Sequence, residues 1–129
     1  MIENPRTGEQ IEFNTSDPEV LVMHSRWTRP GHRAAAHVHP KMEERFEVIE
    51  GKAACLVAGR RIDAVAGESV LVPPGVEHLA WNPTDEHVRL RIEMRPPLRW
   101  AEFTRRLFAG EPVQSLLNEF SAEIVVSGG

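Results

Sequence analysis

Turn residues cut this chain into short pieces, and that constrains its fold more than any other feature. Between Glu19 and Met94 the apolar or alternating runs are broken at Arg29-Pro30-Gly31, Glu50-Gly51-Lys52, Ala58-Gly59-Arg60, Ala66-Gly67-Glu68, Pro73-Pro74-Gly75 and Asn82-Pro83-Thr84-Asp85. Such segments are short for helices but suit strands, whose side chains point alternately to the two faces. Strands are therefore expected from Glu19 to Thr28, Ala34 to His39, Glu44 to Glu50, Ala53 to Val57, Arg61 to Val65, Ser69 to Val72, His78 to Trp81 and His87 to Met94. They predict an antiparallel all-β domain, a sandwich or a barrel. In the last strand Val88, Leu90, Ile92 and Met94 should face the core, leaving Arg89, Arg91 and Glu93 for solvent or a subunit contact.

The pattern changes beyond Met94. Pro97 suits a first helical turn, and Trp100, Phe103 and Leu107 follow at spacings of three and four before Gly110, the mark of one amphipathic helix. Glu102, Arg105 and Arg106 fall on its solvated side. A second, weaker helix is expected from Val113 to Phe120, with Leu116, Leu117 and Phe120 on one side. Both should cover one end of the β structure or a subunit partner. Asn4 to Asp17 is polar and reads as an irregular arm or an extra edge strand, and Ser127-Gly128-Gly129 as a frayed end.

A length of 129 residues suits one domain. Its net charge of -4 offers no attraction to phosphate backbones, so nucleic acid is not an expected partner. No apolar run approaches the roughly 18 residues of a membrane-spanning helix, and Met1-Ile2-Glu3-Asn4-Pro5 lacks the order of a secretory signal. The expectation is a cytoplasmic protein with no membrane partner. Cys55, the one cysteine, lies in the apolar run Ala53 to Ala58; it can form no intrachain disulfide and reads as a small buried hydrophobe.

Chemistry concentrates in four residues. His37 and His39 share a face if the backbone there is extended, and a turn through Pro40, Lys41 and Met42 can bring a carboxylate back towards them. Phase selects Glu44, which shares its face with Phe46 and Val48, whereas Glu43 shares its face with Arg45 and Glu47 and should be solvated. A carboxylate among apolar side chains is costly to keep ionised unless a cation compensates it. His78, just after Pro73-Pro74-Gly75, is the fourth candidate. Three imidazoles and one carboxylate suit manganese, iron, cobalt, nickel, copper or zinc, and carry too much nitrogen for calcium or magnesium. His24, His32 and His87 have no partner at ligand spacing and read as ordinary surface or strand residues.

Gly31, His37, His39, Glu44 and Gly51 match the first cupin motif, glycine-x5-His-x-His-x4-Glu-x6-glycine. Gly67, Pro73, Gly75, His78 and Asn82 match the second, glycine-x5-proline-x-glycine-x2-His-x3-Asn, and only fifteen residues separate the two. The chain thus resembles a small single-domain bacterial cupin. The resemblance implies a double-stranded β-helix, or jelly-roll, barrel over residues 1–96, including the N-terminal arm, with a helical tail over 97–129 packed on it as part of one domain. It implies one divalent transition-metal ion held by His37, His39, Glu44 and His78, and a homodimer that covers exposed edge strands.

The fold hosts many reactions and does not choose among them. There is no tyrosine, which removes mechanisms needing a phenol as proton donor within one subunit. The expected inner surface around the ion, Phe46, Val48, Ala80 and Met94, is largely apolar. The expectation is a metal-dependent enzyme, oxygenase-like or a Lewis acid, acting on a small, fairly hydrophobic substrate that chelates through oxygen. No catalytic base can be named from the sequence. The alternative is a non-catalytic module that binds or senses a small ligand. Trp27 and Trp81 read as packing residues, with Trp81 out of phase with His78 and on the outer face.

Overall fold

The computed structural model describes residues 1–31 and 34–126, with only the backbone described at Ser16. His32 and the Ser127-Gly128-Gly129 end lie outside the described residues. Strands β1 (Ile2–Glu3), β2 (Gln10–Ser16), β3 (Leu21–Trp27), β4 (His37–Val38), β5 (Glu43–Glu50), β6 (Lys52–Val57), β7 (Arg60–Val65), β8 (Ser69–Val72), β9 (His78–Trp81) and β10 (Val88–Arg95) precede helices α1 (Trp100–Phe108) and α2 (Val113–Glu119) and a short last strand, β11 (Val125–Val126). They form two antiparallel sheets, ordered β1-β2-β3-β10-β5-β8 and β11-β4-β9-β6-β7. Their facing sides enclose one core, the jelly-roll arrangement expected of the sequence.

Period-two alternation decides which side chains enter that core. In β10, Val88, Leu90, Ile92 and Met94 are buried, while Arg89 is exposed and Arg91 pairs on the outer face with Glu93 at 2.9 Å. Beside them on the same face of the sheet are Leu21, Met23, Ser25 and Trp27 from β3, and Phe46 and Val48 from β5. The second sheet contributes smaller residues, Ala53, Cys55 and Ala64. Cys55 is buried as expected, donates weakly to the Ile62 carbonyl at 3.4 Å, and burial pushes its thiol up to about 11. Trp81 lies on the outer side, where the Arg61 guanidinium stands 5.4 Å from its ring centre.

Three expectations need correction. The expected strand from Ala34 is confined to His37–Val38. The polar arm contributes β2, an internal strand between β1 and β3. Its Ile11 is buried and Phe13 partly so, but a bulge between Phe13 and Thr15 breaks the alternation, which hides the strand in the sequence. Pro97 also lies three residues ahead of the first helix rather than in its first turn, because Leu98 adopts a φ of 44°.

In the tail, Phe103, Leu116, Phe120 and Ile124 form a small core of their own. Trp100 and Leu107 pack against both this cluster and the barrel core. Arg106 gathers Glu102, Glu111 and Glu119, while Arg105, exposed as expected, also lies over the Phe13 ring at 4.3 Å. No helix among the described residues is long and apolar enough to cross a membrane.

Candidate metal centre

Local sequence places each of the four candidates. His37 is in β4 and His39 follows it directly; the turn at Pro40 and Lys41 buries Met42 and returns the chain as β5, with Glu44 its second residue. His78 opens β9 and pairs in register with His37. Gly75, at φ +77°, donates its backbone N–H to the His39 carbonyl at 2.9 Å, so the turn before His78 is tied to the turn after His39. One side-chain ligand atom from each of His37, His39, Glu44 and His78 lies within 4.8 Å of the others. Donors bound to one ion at about 2.1 Å stand roughly 3 to 4.2 Å apart, so little movement is needed to close them on a common point.

The orientation of the rings is fixed from behind. Each Nδ1 donates its hydrogen to a backbone carbonyl: His37 to Ala35 at 3.0 Å, His39 to Glu123 at 2.9 Å and His78 to Val76 at 3.0 Å. In each neutral ring the lone pair is then on Nε2. The Nε2 atoms of His39 and His78 both face Oε1 of Glu44, at 3.2 and 3.0 Å. A lone pair aimed at a carboxylate oxygen is repulsive unless a cation, a proton or a metal, stands between them. The donor set therefore fits a divalent ion.

Electrostatics carries the same imprint. Burial pushes His37 down to about 4. Burial also disfavours charged His78, but the hydrogen bond and charge of Glu44 outweigh it and hold His78 above its ordinary value. For Glu44, burial alone would raise the carboxyl, yet hydrogen bonds from His39 and His78 keep it well below the usual carboxylate range.

Residues expected to line a pocket fall at different depths. Met94 pairs in register with Glu44, and Ala80 is two residues beyond His78 in β9. Phe46 is the next inward residue after Glu44 and is buried. Val48 is fully buried four residues from Glu44, roughly 13 Å along the strand, and belongs to the core behind the site. His24 contacts the Asn14 side chain on the first sheet, and His87 is exposed.

Two acidic residues outside the four candidates were not found from sequence. The carboxylate of Glu9 accepts from Ser25 Oγ at 2.6 Å and from Trp27 Nε1 at 3.1 Å. Burial raises its pKa, and the negative charge of Glu44 adds to that effect. Ser25 was the available signal, a buried hydroxyl in the inward series Leu21, Met23, Ser25, Trp27. Glu123, whose carbonyl accepts the hydrogen bond from His39 Nδ1, carries no periodic signal.

The cupin domain model matches residues 28–94, and the chain belongs to that family. "Polyketide synthase CurC" of Streptomyces cyaneus is 31% identical over 68 residues, covering 53% of this chain and 44% of that protein. The chain thus matches less than half the length of that curated relative. An RmlC-like cupin from Shewanella frigidimarina superposes with a TM-score of 0.66 at 25% identity, covering 74% of this chain and 83% of that structure. Pac13 of Streptomyces, a nucleoside dehydratase also solved with uridine, superposes with a TM-score of 0.59 at 15% identity, covering 70% of this chain and 71% of that structure.

Proposed function

We propose that this cupin binds one divalent first-row transition ion through His37, His39, Glu44 and His78, and is a metal-dependent enzyme for a small, largely apolar substrate that chelates through oxygen. The observation that carries the reading is the convergence of the four ligand atoms with the Nδ1 of His37, His39 and His78 each occupied by a backbone carbonyl. Four protein donors leave positions of a six-coordinate ion for substrate, and the bound ion would supply Lewis acidity or a place for dioxygen beside a chelating ligand. The chain's own residues orient the donors and keep the surroundings apolar through Met94, Ala80 and Phe46. The name of the polyketide synthase relative supports substrates of the enol or 1,3-dicarbonyl kind, apolar molecules with paired oxygens.

Elemental analysis of the purified protein, followed by reloading with manganese, iron, cobalt, nickel, copper or zinc, tests this. One ion per chain is expected in the wild type, with loss of binding in His78→Ala and Glu44→Gln and unchanged binding in His87→Ala. Oxygen uptake or product formation with a chelating enol or diol supports the enzyme. Saturable binding without turnover under every metal replaces it with a non-catalytic binding module. A wild-type chain that takes up no ion overturns both.

A further inference from the structure

The short strand that carries His37 and leads into His39 has little support within the barrel. β4 is two residues long, and His37↔His78 is its register pair with β9. Its other edge is covered by β11, with Val126 opposite His37 and Val125 opposite Val38. Two residues before that strand, the Glu123 carbonyl accepts the Nδ1 hydrogen of His39, 84 residues away in sequence. Trp100, the first residue of α1, stands edge-on to the His39 ring with centroids 4.8 Å apart. Three separate parts of the tail thus reach the same two ligands, and all lie beyond the residues matched by the cupin domain model.

The tail is itself fastened at this point. Glu123 is 3% exposed; its Oε2 accepts the Arg99 backbone N–H at 3.2 Å and lies 3.6 Å from Arg99 Nε, while its buried Oε1 has no hydrogen-bond partner among the described residues. The Arg99 guanidinium also lies 4.3 Å from the centre of the fully buried Phe120 ring and donates to the Glu119 carbonyl. A carboxylate buried with so few donors is retained at a cost, and what it fixes is the peptide whose carbonyl meets His39.

We infer that the C-terminal tail is a positioning element of the metal centre: the Glu123 carbonyl sets the tautomer and ring angle of His39, and β11 sets the line of His37. This rests on the metal-binding reading above. Outer partners of metal-bound histidines typically govern affinity by a factor of about 10 to 100, because a ring without its acceptor samples the wrong tautomer and orientation.

The test uses Co(II) as the probe in full-length protein, reading the dissociation constant by chelator competition and the visible d–d spectrum of the loaded chain. Glu123→Ala and Val126→Pro are expected to weaken Co(II) binding about 10 to 100-fold and to shift the spectrum. Glu123→Gln, which keeps an oxygen for the Arg99 N–H, should recover most of the affinity. Gly51→Ala, destabilised at a turn remote from the tail, should leave the spectrum unchanged. Should Val126→Pro fail to fold, Trp100→Leu replaces it with the same expected shift. Folded tail variants with wild-type affinity and spectrum overturn the inference alone, whereas a wild-type chain that binds no Co(II) overturns the metal reading beneath it.

Discussion

Nε2 of His78 lies 3.0 Å from Oε1 of Glu44, so a proton or a metal ion on the imidazole serves the same electrostatic purpose. In metal-free protein that cation is the proton, and Glu44 holds the His78 pKa above its ordinary value. Its stabilising contribution is complete below the ordinary imidazole range and fades as the pH climbs through the raised folded value. His37, pushed down to about 4, is neutral in the folded chain, and its unfolded imidazole is mostly deprotonated above pH 7, so it opposes the trend only weakly there. Metal-free stability should therefore fall between pH 7 and pH 8.5, while the extra stability conferred by Zn(II) grows as protons stop competing for Nε2. Thermal melts of both forms at the two pH values check this; parallel curves would remove the His78–Glu44 coupling as its cause.

The Glu9 carboxylate separates two kinds of substitution. Glu9→Leu strands the Ser25 hydroxyl and the Trp27 indole N–H, and should cost about 1 to 3 kcal/mol in urea denaturation. Glu9→Gln keeps an acceptor oxygen for both donors and removes a charge that burial opposes. The raised pKa means that Glu9 contributes most when protonated, below the ordinary glutamate value, and less as the pH rises through its folded value. Glu9→Gln should hence be within about 1 kcal/mol of the wild type at pH 7, on the stabilised side, with that advantage lost in acid. Equal losses for Leu and Gln would show that the charge itself is needed.

The parts of the site legible in the sequence are those fixed by local geometry. Alternation places His37 and His39 together, phase selects Glu44 over Glu43, and the Pro73-Pro74-Gly75 turn starts the strand of His78. Glu9 meets partners 16 and 18 residues away and His39 a carbonyl 84 residues away, contacts that depend on chain closure and not on any repeating pattern. The same limit hid β2: Ile11 and Phe13 alternate correctly, but the bulge after Phe13 ends the pattern before it becomes readable. Conversely, the alternation of Val88, Leu90, Ile92 and Met94 needed no tertiary information because the whole strand lies between two neighbours.

Gly51 and Gly59 both turn the chain at positive φ, +87° and +78°, yet they should respond differently to alanine. A Cβ at Gly51 would stand 2.6 Å from the His87 backbone carbonyl, which cannot move without shifting the start of β10; at Gly59 it would meet open space. Gly59→Ala should cost about 1 to 2 kcal/mol, the penalty of left-handed backbone alone. Gly51→Ala should cost more, by about 1 to 3 kcal/mol, from overpacking. Guanidinium denaturation of the two variants measures the difference, and equal losses would exclude the carbonyl contact as the reason for glycine at Gly51.

Asn82 connects the second sequence motif to the first. Fully buried, it donates Nδ2 to the carbonyls of Glu86 at 2.7 Å and Arg29 at 3.3 Å, while Oδ1 accepts from the backbone and hydroxyl of Thr84. Its own carbonyl takes the Gly31 N–H at 2.7 Å, so the loop leading towards β4 is anchored to the end of β9. Asn82→Ala leaves several buried groups unpaired and should cost about 2 to 4 kcal/mol. Asn82→Asp keeps the acceptor for Thr84 but sets a carboxylate against two carbonyl oxygens, and should be the worse of the two at neutral pH. Because the anchored Gly31 lies only six residues before His37, both variants should also bind Zn(II) more weakly than the wild type. Denaturation and metal titration of the pair decide it: an Asp variant as stable as wild type would mean that the Arg29 and Glu86 carbonyls do not hold this turn.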